Sequence, residues 1–163
     1  MNTAAGTATH RPHRPWLGLI GFGAVVTAVA AFGSVFASGS AETYAGLDRP
    51  SWAPPSWLFG PAWTVLYVTI AVSGWLVWRH GGFEGKALPF TLYGLQLALN
   101  AAWTPLFFGA QAFGAALIDI VVLLVAIIGT IATFARHSVG AAVLLIPYLL
   151  WVGYATALNA AVR

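Results

Sequence analysis

Five apolar runs, each about as long as a bilayer core is thick, decide what this chain can fold into. A helix needs ~20 apolar residues to cross the hydrocarbon, and residues 16–37, 58–78, 87–108, 113–134 and 139–162 each supply them. Backbone N–H and C=O groups in lipid must find partners within the protein, and a helix satisfies them inside one segment. The expected fold is all-α: a five-helix transmembrane domain over residues 16–163, preceded by a basic, disordered arm at residues 1–15. Composition agrees, because 60% of the 163 residues are hydrophobic and 7% are charged. Soluble chains carry charge on about a quarter of their residues.

Connector lengths set the topology. Residues 109–112 and 135–138 are too short for anything but antiparallel neighbours, so the chain reads as one up-down bundle. The exception is residues 38–57. A loop of that length in a compact bundle is usually a lid or binding element. The first run has a basic prelude in His10, Arg11, His13 and Arg14 and could be a cleaved signal peptide. Its 22 residues exceed the ~7–15 of a signal core, which favours a true span. Arg11, Arg14, Arg79, Lys86 and Arg136 fall on one side of the expected topology, against Arg49 and Arg163. That excess puts the N-terminus in the cytoplasm, and the Ala/Gly-rich spans point to a bacterial membrane.

The doorway to the second span, PSWAPPSWLFGPAWTVLY at residues 50–67, holds four prolines and three tryptophans. Proline fixes φ and lacks an N–H, so residues 50–55 form a stiff connector over the bundle, while Pro61 suits a helix's first turn. Trp52, Trp57 and Trp63 belong at headgroup level, either as an aromatic belt or as part of a site. Further along, Trp63, Tyr67, Ile70, Gly74 and Trp78 share one helical stripe. In the third span Gly94, Ala98 and Ala102 repeat every four residues, which allows close helix approach inside the bundle or across a dimer. Gln96, Asn100 and Trp103 lie roughly opposite and should face inward, since bare amides in hydrocarbon cost several kcal/mol each, roughly. The fifth span brings Pro147, Trp151, Ala155 and Leu158 to one face with Asn159 beside it. Aromatic groups from three spans can wall a flat, apolar cavity with a few amides; a self-filled core with bonded amides is the alternative.

Chemistry is sparse. No cysteine exists, and His10, His13, His80 and His137 lie outside the spans, so thiolate sites, haem ligation and catalytic triads find no residues. No cofactor or metal is expected, and the scattered basic residues suit no nucleic acid. Asp119 is the one acid within a span. It asks for a tyrosine or tryptophan hydrogen bond, a reach to the interface, or a proton-relay role. Arg49, beside Asp48 on the lid, is the best cation for an acidic substituent at the mouth; a surface pair with Asp48 is its alternative.

The runs YAGLDRPSWAPPSWLFGPAWTVLY (residues 44–67), LYGLQLALNAAWTPLFFGAQ (92–111) and PYLLWVGYATALN (147–159) resemble the translocator protein family, also called TspO or the peripheral benzodiazepine receptor. The resemblance implies a five-helix bundle, commonly a homodimer. It implies binding of porphyrins and related tetrapyrroles, sterols and benzodiazepine-type ligands under the first loop, with transport or stress signalling downstream. Tyr44, Trp52, Trp63, Asn100, Trp103, Trp151 and Ala155 match the residue types of the family's pocket and loop motifs. Trp63 and Trp151 resemble a pair tied in bacterial members to light-dependent porphyrin breakdown, which makes them the candidate redox side chains of a rival, enzymatic reading. With Arg49, Tyr67, Gln96 and Asn159 these complete the candidate ligand-binding set. Two departures stand out. Residues 158–163 lack the tyrosine of the vertebrate sterol consensus, and Thr91 and Leu95 replace a glycine pair of the third span.

Overall fold

The computed structural model describes residues 15–37 and 40–161. Most of the arm, with Arg11, Arg14, His10 and His13, lies outside the described residues, as does Arg163. The helices are α1 (Pro15–Ala37), α2 (Ser40–Gly46), α3 (Phe59–Trp78), α4 (Ala87–Thr104), α5 (Phe113–Ala135), α6 (Val139–Leu144) and α7 (Ile146–Ala161). A 3-10 turn, Ser56–Leu58, leads into α3, and a π turn, Pro105–Gly109, ends α4. Among the described residues, Pro15–Ala37, Ser56–Trp78, Phe113–Ala135 and Val139–Ala161 are long and apolar enough to cross a membrane. The fifth long helix, α4, is less apolar because it carries Gln96 and Asn100, and it buries both in the bundle.

The five long elements close into a ring in which α1 packs on α3 and α4, α4 on α5, α5 on α6 and α7, and these on α3. The helices are antiparallel where the short connectors require it. Their consecutive order is broken once: α3 and α4 are joined by residues 79–86, yet α1 sits between them. Phe22 of α1 is the wedge, with its ring 5.7 Å from Tyr93, 6.0 Å from Phe90 and 6.5 Å from Trp78. Two glycines make room for it and its neighbour. A Cβ on Gly74 would meet Phe22 at 2.7 Å and Tyr93 at 2.8 Å, and one on Gly18 would meet Trp78 at 2.2 Å. The aromatic stripe expected on α3 therefore divides into Trp63 and Tyr67 toward one end and a glycine notch for α1 at the other.

The 79–86 connector turns through Gly81, Gly82 and Gly85, all at positive φ, where a side chain would be strained. It is tied off by Lys86, a buried residue whose ammonium donates to the carbonyls of Val77, His80 and Gly82. The Val77 carbonyl is one of those that the last turn of α3 leaves unpaired, and the other two belong to the connector itself. Burial draws the lysine pKa below its ordinary value. Lys86→Met removes three charge-assisted bonds and is expected to cost about 2 kcal/mol, read as a lower unfolding temperature in detergent.

Three expectations about helix boundaries change. The fifth span is not continuous, because Pro147 has no N–H to offer Val143 and the helix breaks at Leu145 between α6 and α7. The third span ends in the π turn at Pro105, where Ala110 donates to Pro105 across five residues at 2.8 Å. The long first loop is partly helical: residues 40–46 form α2, and the extended stretch is confined to 47–55. Pro55 there has φ −65° and ψ 145°, the extended geometry its ring favours.

Candidate functional site

A cavity of about 480 Å³ opens beneath the first loop, in the half of the bundle where α1 and α4 end and α3 begins. Its volume lies in the ~300–1,000 Å³ range typical of small-molecule sites. Of the candidate residues, Tyr44, Trp63, Tyr67, Asn100, Trp103, Trp151 and Ala155 line it. Among the described residues no charged side chain does.

The polar floor is a short chain of hydrogen bonds. Tyr67 donates its hydroxyl proton to Asn100 Oδ1 at 3.1 Å, and Asn100 Nδ2 donates to the Tyr148 hydroxyl at 3.1 Å. One amide on α4 thus joins α3 to α7 and is satisfied without a ligand, as a buried amide must be. Trp63 packs on this chain, 5.2 Å from the Tyr67 ring and edge-on to Tyr148 at 6.2 Å. On the far wall the Trp103 indole N–H donates to Asn159 Oδ1 at 3.2 Å and its ring stacks on Phe107 at 4.8 Å. Asn159 in turn donates to the Phe113 carbonyl at 3.2 Å. The π turn is what folds Phe107 back under Trp103.

The roof is latched. Tyr44, buried in α2, donates to the Pro54 carbonyl at 2.9 Å, and Tyr154 of α7 donates to the Trp52 carbonyl at 3.0 Å. Proline-rich backbone carries more acceptors than donors, so its carbonyls are free for such phenols. The Phe59 ring sits between Tyr44 at 5.3 Å and Trp151 at 6.0 Å, carrying the roof contact into the wall.

Four candidates lie elsewhere. Arg49 is exposed and stacks over the Tyr44 ring at 4.5 Å, so its charge braces the lid from outside rather than facing the mouth. Trp52 is 48% exposed and packs edge-on to Tyr154 on the rim, which fits the belt reading for that residue. Gln96 is buried one turn deeper than Asn100, below the floor, with both amide atoms unpartnered. Asn159 orients Trp103 without reaching the cavity. Asp119 is half-buried, Oδ2 has no hydrogen-bond partner, and among the described residues no tyrosine or tryptophan bonds to it. Gly94 and Ala98 are exposed, with open space where a Gly94 Cβ would project. Gly94 and Ala98 therefore face outward, while Ala102, one turn further on, is half-buried.

Trp57, left open in the sequence between belt and site, lines the cavity although it is 70% exposed. Other lining residues escaped the sequence reading. From α1 come Ala30, Gly33, Ser34 and Ala37, and from α5 come Ile120 and Leu123, so all five long elements contribute rather than three. The α1 set has a legible signal, since four small residues at i, i+3, i+4 and i+7 make one concave stripe. Ile120 and Leu123 look like any other residues of an apolar span.

The sequence matches the model of the TspO/MBR family over residues 21–163. It is 43% identical to the human translocator protein over 148 residues, covering 89% of this chain and 88% of that one. It is 44% identical to the tryptophan-rich protein TspO of Archaeoglobus fulgidus over 138 residues, 84% of this chain and 89% of the relative. The tryptophan-rich sensory protein of Cereibacter sphaeroides is 40% identical over 118 residues, 72% of this chain and 73% of its own length.

Proposed function

Because this chain belongs to the TspO/MBR family of membrane proteins, we propose that its cavity is a receptor site for tetrapyrroles and similar flat hydrophobic molecules. The observation that carries the reading is the aromatic enclosure: Trp57, Trp63, Tyr67, Trp103 and Trp151 surround a single space. Flat rings offer large apolar area at low entropic cost, and their edges and faces suit a planar macrocycle. The absence of charge among the lining residues means that any carboxylate of such a ligand stays at the mouth, near the headgroups. Binding there can be coupled to signalling, in keeping with the sensory name of one relative, or to transport of a porphyrin, sterol or other lipophile. The outward face of Gly94 and Ala98, continuing to the half-buried Ala102, is the surface on which a second copy would pack to form a homodimer.

A second reading makes the same site a light-dependent porphyrin-degrading oxidase. The observation that favours it is that both Trp63 and Trp151 line the cavity, where their indoles can give an electron to a photoexcited macrocycle or to the oxidant it makes from dioxygen, dioxygen being the final acceptor for the ring's oxidation.

One titration tests the receptor reading. Purified protein titrated with protoporphyrin IX is expected to show saturable tryptophan quenching, and Trp151→Phe to weaken the affinity by about tenfold, or ~1.4 kcal/mol. A flat response in both proteins rejects the site. Under illumination the Trp63→Phe/Trp151→Phe pair separates the readings. Loss of degradation with retained binding favours the oxidase, and unchanged degradation leaves the indoles as walls.

A further inference from the structure

We propose that the flat ligand enters the cavity sideways from the bilayer, through the seam between α3 and α7, with the Trp151 ring as the door. This rests on the receptor reading above and adds the route. On the outer surface of the seam lies an apolar groove of about 760 Å³, bordered by Pro54, Pro61, Val65, Leu150 and Tyr154, and Trp151 lines it too. Trp151 therefore belongs to both the inner cavity and the outer groove. Its ring lies 6.0 Å from Phe59, a cavity residue, and 6.1 Å from Tyr154, a groove residue. At this point the wall is one side chain thick.

The seam is also where the ring of helices is least fastened. Among the described residues no hydrogen bond joins residues 59–66 to residues 147–155. Below it, Ser73 Oγ donates to the Ala141 carbonyl at 2.8 Å, and Asn100 links Tyr67 to Tyr148. The break at Leu145 and the missing N–H of Pro147 put a hinge about one turn before Trp151, where the helix ladder already lacks the bond that Pro147 would give to Val143. The roof, by contrast, is held by the two phenol latches and the Arg49 stack. A hydrophobic macrocycle is concentrated in the membrane rather than in water, and the groove faces the acyl chains. A door on that side spares the ligand a passage through the headgroups and water.

Val65 and Leu150 are 61% and 67% exposed and line only the groove, so enlarging them narrows the entrance and leaves the cavity as it is. The experiment reconstitutes the protein in phosphatidylcholine vesicles, mixes these with vesicles carrying protoporphyrin IX, and follows tryptophan quenching after rapid mixing. In Val65→Phe/Leu150→Phe the association and dissociation rates are expected to fall together by about tenfold, equivalent to ~1.4 kcal/mol on one barrier. The dissociation constant stays at the parent value, because Val65 and Leu150 border the groove and do not line the cavity. Arg49→Ala, which removes the stack bracing the roof and lines neither the cavity nor the groove, is expected to leave both rates unchanged. Parent-like rates in the groove pair overturn the proposal, as does faster association in Arg49→Ala, which makes the roof the door. A weakened dissociation constant with fast rates in the groove pair also overturns it, since the groove would then be the binding seat. If the parent itself shows no saturable quenching, the receptor reading fails and the route with it, whereas normal binding at unaltered rates removes the route alone. Matching unfolding temperatures for parent and groove pair exclude misfolding as the cause of slowed exchange.

Discussion

Gly74→Val is expected to damage the bundle severely, lowering stability by about 3 kcal/mol or more. The added Cβ would stand 2.7 Å from Phe22 and 2.8 Å from Tyr93, and neither ring has room to retreat. Tyr93 is fixed by its hydroxyl bond to the Ile70 carbonyl at 3.0 Å and by stacking on Phe134 at 5.7 Å. Phe22 is surrounded by Trp78, Phe83, Phe90 and Tyr93. The collision would push α1 out from between α3 and α4, and α1 also supplies the small-residue wall of the cavity. Loss of porphyrin quenching should therefore accompany the lower unfolding temperature. Gly21→Val is the control, because a Cβ there meets nothing within 4 Å. Equal unfolding temperatures for Gly74→Val and the parent would show that α1 does not wedge as described.

The second large effect separates binding from stability. Ala155→Phe places a phenyl ring into the cavity from α7, beside Trp151 and across from the Tyr67–Asn100–Tyr148 chain. The substitution fills existing space instead of displacing packed side chains, so the unfolding temperature should hold within a few degrees while affinity for protoporphyrin IX falls by about a hundredfold, ~2.7 kcal/mol. Ile118→Phe adds the same ring to an exposed face of α5 and should leave the titration as in the parent. Retained affinity in Ala155→Phe would mean that the macrocycle sits elsewhere.

Much of this architecture could be read from residue order because lipid tolerates so few alternatives. A run of twenty apolar residues must be helical, four-residue connectors must reverse direction, and amides must turn inward. Asn100 and Trp103 were placed correctly by that rule alone. Gln96 obeys it as well, yet depth along the helix decides what an inward residue meets, and one turn separates the cavity floor from the sealed core.

Arg49 and Trp52 show the opposite limit, since a loop's side chains point where its own tertiary contacts send them. The Tyr44 ring captures one and Tyr154 the other, and neither partner is near in sequence in a way that periodicity reports. Pro147 was visible from the start as part of a lining face. That it splits the last span, and that the split lies beside a thin wall, depends on which helix stands opposite.

The sequence by itself determined the membrane, the helices, the inward amides and the proline-stiffened lid, all of which follow from local solvation and backbone covalent geometry. Only the tertiary structure decided the order of helices around the ring, with α1 wedged between α3 and α4, and the enclosure of a cavity by all five. Those depend on how distant rings and glycine notches fit together, and shape complementarity between segments leaves no periodic trace in either one.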